Sequence, residues 1–101
     1  MKSIIQTDDD RCFRCRTAFG TDTHHIFPGS NRKLSDQDGL TVRLCRQCHD
    51  YLHCDKRSGE EMRKLKQLGQ TKWEAYYGPK LEQQGKDPRE EFIKRYGRNY
   101  L

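Results

Sequence analysis

A chain of 101 residues with 32% hydrophobic and 35% charged side chains has room for one domain, with at most an appendage, and too little apolar surface to hold a core unaided. No stretch approaches membrane-spanning length, which excludes a helical membrane span, while five cysteines offer a staple in place of bulk. The formal net charge of +5 suits a polyanionic partner such as nucleic acid, although an excess this modest does not single one out.

Met1-Lys2-Ser3, followed by Ile4-Ile5 and the acidic Asp8-Asp9-Asp10, lacks the make-up of a secretory signal. The expected compartment is a reducing cytoplasm, in which cysteines bind metal rather than pair as disulfides. Lys2 to Thr7 reads as a short edge strand. Cys12-Phe13-Arg14-Cys15 reads as a tight knuckle that turns two thiolates toward one ion, and Thr17-Ala18-Phe19-Gly20 as a turn. A strand through Thr21–Phe27 carries the adjacent His24 and His25 and is stopped by Pro28-Gly29. Residues 29–39 have loop composition throughout. Leu40-Thr41-Val42-Arg43-Leu44 alternates apolar and polar residues, which predicts a second strand returning the chain to Cys45. A helix from about Arg46 to about Lys56 follows, and Ser58-Gly59 breaks it.

From Glu60 the sequence is helical and highly charged. Met62, Leu65 and Leu68 keep a three-to-four spacing before a break at Gly69, and Trp73, Tyr76 and Tyr77 mark a second segment ending at Gly78-Pro79. Residues 83–86 read as a connector. Asp87-Pro88-Arg89-Glu90 then combines a capping acid, proline at the first helical position and glutamate close behind. The last helix runs through Phe92, Ile93 and Tyr96 to a stop at Gly97. No internal repeat or low-complexity segment interrupts this order.

Two constellations carry chemistry. Cys12, Cys15, Cys45 and Cys48 form two Cys-x-x-Cys pairs, the pattern of a closed, structural zinc site. Binding at such sites is folding free energy, on the order of 10 kcal/mol. Cys54 is left without a role. His24, His25, His49 and His53 are all four histidines of the chain, and His49 and His53 share one helix face. The plain reading lets these two complete a Cys-Cys-His-His zinc site, but it strands Cys12 with Cys15 and leaves the doublet unused. The alternative lays the end of the first strand over the helix face. Three imidazoles then hold one divalent ion and the fourth stays free as a base. Neighbouring strand residues point to opposite faces, so the doublet serves one site only if the strand ends or bends there.

The runs H-H-I-F-P-G-S-N-R and G-L-T-V-R-L-C-R-Q-C-H-D-Y-L-H resemble the HNH endonuclease family, most closely its small phage-encoded members with a treble-clef zinc scaffold. The resemblance covers Cys12 to about His53, with a looser likeness in the tail. It implies an α+β fold: a small zinc-stapled ββα-metal domain over residues 1–58 with a helical C-terminal extension over 59–101. By motif position it implies that His24, His49 and His53 hold a catalytic divalent ion and that His25 is the general base. The family's middle asparagine has no counterpart in Gly39-Leu40-Thr41-Val42, and Asn31 is the nearest candidate. The implied activity is hydrolysis of DNA phosphodiester bonds in the cytoplasm of a bacterial host cell, leaving 5′-phosphate and 3′-hydroxyl ends. Availability favours Mg2+ or Mn2+ as the ion, whereas an all-imidazole shell favours Ni2+ or Zn2+.

Arg32, Lys33, Arg43, Arg46, Lys56 and Arg57 are expected to meet DNA phosphates without reading bases. The basic residues of the tail alternate with Glu60, Glu61, Glu74, Glu90 and Glu91 as on an exposed helix, and Trp73, Tyr76, Tyr77, Phe92 and Tyr96 read as packing groups. Two rival readings stay open. One is a zinc-scaffolded DNA-binding or recombination accessory protein without cleavage. The other is a component of a larger phage packaging or restriction machine, docked through its polar helical tail.

Overall fold

The computed structural model describes residues 1–7 and 9–101; Asp8, within the acidic run, lies outside them. The fold is α+β, with a two-stranded antiparallel sheet and four helices: β1 (Thr21–His25), α1 (Arg32–Gln37), β2 (Thr41–Cys45), α2 (Arg46–Cys54), α3 (Gly59–Gln83) and α4 (Pro88–Tyr96). Single 3-10 turns occupy Gly29–Asn31 and Lys56–Ser58. The register pairs Thr21 with Cys45, His24 with Val42 and His25 with Thr41. β2 runs directly into α2, and Cys45 caps that helix by accepting the Cys48 amide on its sulfur.

Three expectations are corrected. Residues 2–7 form no strand. The Ser3 hydroxyl accepts the amides of Ile5 and Gln6 at 3.0 and 2.9 Å, and this local turn competes with a ladder. The segment is instead pinned by Ile4 N–H on the Gly39 carbonyl (2.8 Å) and by Gln6 Oε1, which accepts the Arg43 amide (2.7 Å). Residues 29–39 are not a continuous loop but contain α1. There the buried Ser35 hydroxyl donates to the Leu40 carbonyl (2.6 Å) and accepts the Phe27 amide (3.3 Å). Finally, α3 runs unbroken through Gly69 and Gly78-Pro79. Gly69 is there for closeness: a Cβ at this position would lie 2.8 Å from Ile26 Cγ2 and 3.2 Å from Phe27 Cε2. Pro79 lacks only its own amide donor, while Gly69, Gln70, Trp73 and Gly78 bury the helix along its length.

α4 starts as its sequence predicts, with the Asp87 side chain accepting the Arg89 amide and Pro88 in the first turn. Gly97 ends it in the left-handed region (φ 92°), its amide bonded to the Ile93 carbonyl.

One buried cluster joins Cys12, Ile26, Phe27, Leu40, Val42, Leu44 and Leu52 to Trp73, Phe92 and Tyr96 of the last two helices. The Phe27 ring lies 5.7 Å from that of Phe92, 4.9 Å from Tyr96 and 5.1 Å from Tyr100. Tyr76 departs from the expected packing role and stands exposed. A buried carboxylate fastens this aromatic wall. Asp38 Oδ2 accepts from Trp73 Nε1 (2.9 Å), Arg95 Nε (2.7 Å) and the Tyr96 hydroxyl (2.7 Å), and Oδ1 from Arg95 Nη2 (2.8 Å). Among the described residues no helix is long and apolar enough to cross a membrane.

Candidate metal centres

The first knuckle docks on the sheet through the Phe13 amide, which donates to the Arg43 carbonyl (2.7 Å). Its turn closes with the Arg16 amide on the Cys12 carbonyl (2.9 Å), Arg16 itself standing at φ 69°. This brings Cys12 and Cys15 against Cys45 and Cys48, with all four sulfurs within 4.8 Å of one another. Within each pair the later amide faces the earlier sulfur, Cys15 N to Cys12 Sγ at 3.4 Å and Cys48 N to Cys45 Sγ at 3.5 Å. All five cysteines are free thiols, and these four could hold a structural metal such as zinc.

Their proton affinities are uneven. Burial raises the Cys12 thiol, but the Cys15, Cys45 and Arg14 amides outweigh it and bring the group down to about 6. Burial pushes Cys48 up to about 12, against the pull of the Arg14 guanidinium. A cation binding among these sulfurs would displace their protons, so its affinity would fall with pH. Arg14 Nη1 lies 3.6 Å from Cys48 Sγ, its guanidinium is held by both Glu61 oxygens (2.7 and 3.2 Å), and it covers the Tyr51 ring at 4.3 Å.

The second group is His24, His49 and His53, whose ligand atoms also lie within 4.8 Å of one another. Ring centroids are 5.4 Å apart for His24 and His49, 5.5 Å for His24 and His53, and 4.4 Å for His49 and His53. The histidines of α2 therefore group with the strand histidine and not with Cys45 and Cys48. His24 is 2% exposed, and its Nε2 is a buried polar atom without a hydrogen-bond partner. Such an orphan is costly unless something occupies it. Burial, helped by repulsion from His49, His53 and His25, lowers the His24 pKa to about 4, and burial also lowers that of His49. Both rings are thus held neutral, with lone pairs available for a cation.

His24 and His25 both lie within β1, paired with Val42 and Thr41, and both border one cleft of about 380 Å³, together with Asp22, Thr23, Pro28, Arg32, His49 and His53. His25 stands outside the three-histidine group. Its Nε2 lies 3.1 Å from Asp36 Oδ1 on α1.

The other sequence candidates are scattered. Asn31 donates its amide to the Tyr96 carbonyl (3.0 Å), tying the turn before α1 to α4, and it is not among the residues lining the cleft. Arg32 lines the cleft, with Lys33 exposed beside it on α1. Arg43 is folded onto β1, donating to Thr21 Oγ1 (3.3 Å), Thr23 Oγ1 (2.9 Å) and the Thr21 carbonyl. Arg46 is exposed, 3.7 Å from Asp50; Lys56 is exposed; Arg57 is forked onto Asp55 at 2.8 and 3.1 Å. Sequence reasoning passed over Asp22, Asp36 and Asp38. Strand alternation places Asp22 on the face of His24 and so could have found it. No local signal marks Asp36 or Asp38. Compared with known protein families, curated proteins and solved structures, the chain matches none.

Proposed function

We propose that this protein is a metal-dependent endonuclease of the HNH type that hydrolyses DNA phosphodiester bonds, its ββα-metal core stapled by a treble-clef zinc at Cys12, Cys15, Cys45 and Cys48. The observation that carries the reading is the cleft. Three imidazoles converge there on one point with a buried Nε2 left over, and a fourth imidazole and an arginine line the same space. A binding module has no use for that fourth, unligated base.

In this reading His24, His49 and His53 hold a divalent ion, Mg2+ or Mn2+ in the cell and Ni2+ or Zn2+ by preference of the donors. When bound, the ion supplies positive charge where a phosphoryl transition state gathers negative charge. His25 takes the proton of the attacking water, a role worth roughly 10²- to 10⁴-fold in rate. Arg32 meets a substrate phosphate at the rim, with Lys33 beyond it. Contacts of this kind orient the duplex without reading its sequence, so binding weakens steeply with salt.

The test is conversion of supercoiled plasmid by the zinc-loaded protein with added Mg2+, Mn2+, Ni2+ or Zn2+. Wild type should nick or cut, while His25→Ala should lose roughly 10²-fold or more and keep its structural zinc. Wild type inert with every ion, or His25→Ala cutting at the wild-type rate, sinks the assignment.

A further inference from the structure

His25, which borders the cleft, makes a contact that the sequence does not foreshadow, with Asp36, a residue outside the cleft's lining. His25 is 14% exposed by side chain and Asp36 62%, so a partly buried ring meets a carboxylate that reaches in from the surface. The backbone carrying Asp36 is fixed on both sides. Before it, Asn31 is bonded to α4 and the Ser35 hydroxyl to the Leu40 carbonyl and Phe27 amide. After it comes Asp38, with bonds to Trp73, Arg95 and Tyr96.

We infer that Asp36 is the positioning residue for His25, selecting the ring tautomer that leaves Nδ1 as its basic atom; this rests on the reading of His25 as the base. A carboxylate accepts hydrogen bonds and does not donate them, so a bond at 3.1 Å places the ring hydrogen on Nε2. The lone pair then sits on Nδ1. When Nδ1 takes a proton from water, the O–H electron pair stays on the oxygen, which bonds to phosphorus as the P–O3′ bond breaks and its electron pair leaves on the 3′ oxygen, protonated by solvent to the 3′-hydroxyl. The imidazolium charge that results faces the Asp36 carboxylate, which stabilises it without accepting the proton. A side chain outside the resembling motif thereby does what Asn31, bonded to Tyr96, does not.

The experiment uses the whole 101-residue chain loaded with zinc. Ring 15N–1H correlation spectra read the His25 tautomer directly, and plasmid turnover of wild type and Asp36→Ala is followed beside them. The expected result is an Nε2–H ring in wild type and loss of that preference in Asp36→Ala. Turnover should fall by roughly 10- to 100-fold, the scale known for carboxylate partners of metal-bound histidines, with the loss in kcat rather than in KM. An Nδ1–H ring in wild type, or Asp36→Ala with unaltered tautomer and turnover, overturns the assignment. If wild type cuts no DNA with any ion, the nuclease reading fails, and the spectra alone decide whether Asp36 sets the ring.

Discussion

Gly69→Ala tests how closely the long helix must approach the end of β1. The new methyl would stand 2.8 Å from Ile26 Cγ2 and 3.2 Å from Phe27 Cε2. Carbon atoms pack comfortably at about 3.5–4.0 Å, so the overlap is several tenths of an ångström or more at both contacts. Neither neighbour can swing away. Ile26 and Phe27 are each 1% exposed, and the Phe27 ring is backed by Phe92, Tyr96 and Tyr100. Overpacking of this kind costs about 1–3 kcal/mol, while alanine's better helix propensity returns up to about 1 kcal/mol. The net expectation is a loss of about 1–2 kcal/mol, read as a lower urea midpoint for the zinc-loaded protein. Gly59→Ala is the control, because a Cβ there meets nothing within 4 Å. It should be neutral or slightly stabilising. Gly69→Ala as stable as wild type would refute the argument from close approach.

Two further outcomes concern the metal centres. Purified protein should carry one tightly held zinc per chain by elemental analysis, and strong chelation or Cys12→Ser should abolish its native circular dichroism. A loss on the order of 10 kcal/mol matches or exceeds the whole stability of many domains, so a native spectrum after complete zinc removal would refute the structural role of the four sulfurs. The second outcome concerns acid. With the histidine group metal-free, His24 titrates near 4 in the folded chain against an ordinary value of 6.5. As pH falls the unfolded state binds this proton first, so the ring's contribution is complete above about 6.5 and drains away toward 4. That gap is worth at most about 3.5 kcal/mol. Denaturant unfolding between pH 7.5 and 4.5 should show a steeper loss for wild type than for His24→Gln, and parallel slopes would count against it.

The elements that proved legible are those whose reasons are local. β2 alternates, α2 begins at a knuckle cysteine and carries two histidines on one face, and α4 is bracketed by Asp87-Pro88 and Gly97. The pairs within each group were legible for the same reason, since spacing puts Cys12 with Cys15, Cys45 with Cys48 and His49 with His53, whereas His24 joins its group through the strand that carries it. α1 was not, because residues 29–39 have loop composition and the helix is held by partners far along the chain, Trp73, Arg95 and Tyr96 through Asp38. Gly69 was misread as a break because a glycine's meaning in a helix depends on what packs against it, here Ile26 and Phe27. The sites of Asn31 and Arg43 follow from the same limit. Their side chains end on the Tyr96 carbonyl and on Thr21 and Thr23, which no short window contains.

All seven grouped donors lie between Cys12 and His53, whereas Phe92, Tyr96 and Tyr100, which back Phe27, come from beyond Leu68. The grouped donors and the aromatic buttress are therefore encoded in separate halves of the polypeptide. Transplanting the motif-bearing half into another scaffold would carry every donor but leave Phe27 facing water. A graft that is to keep Phe27 covered must bring along the C-terminal helices or build a substitute for them.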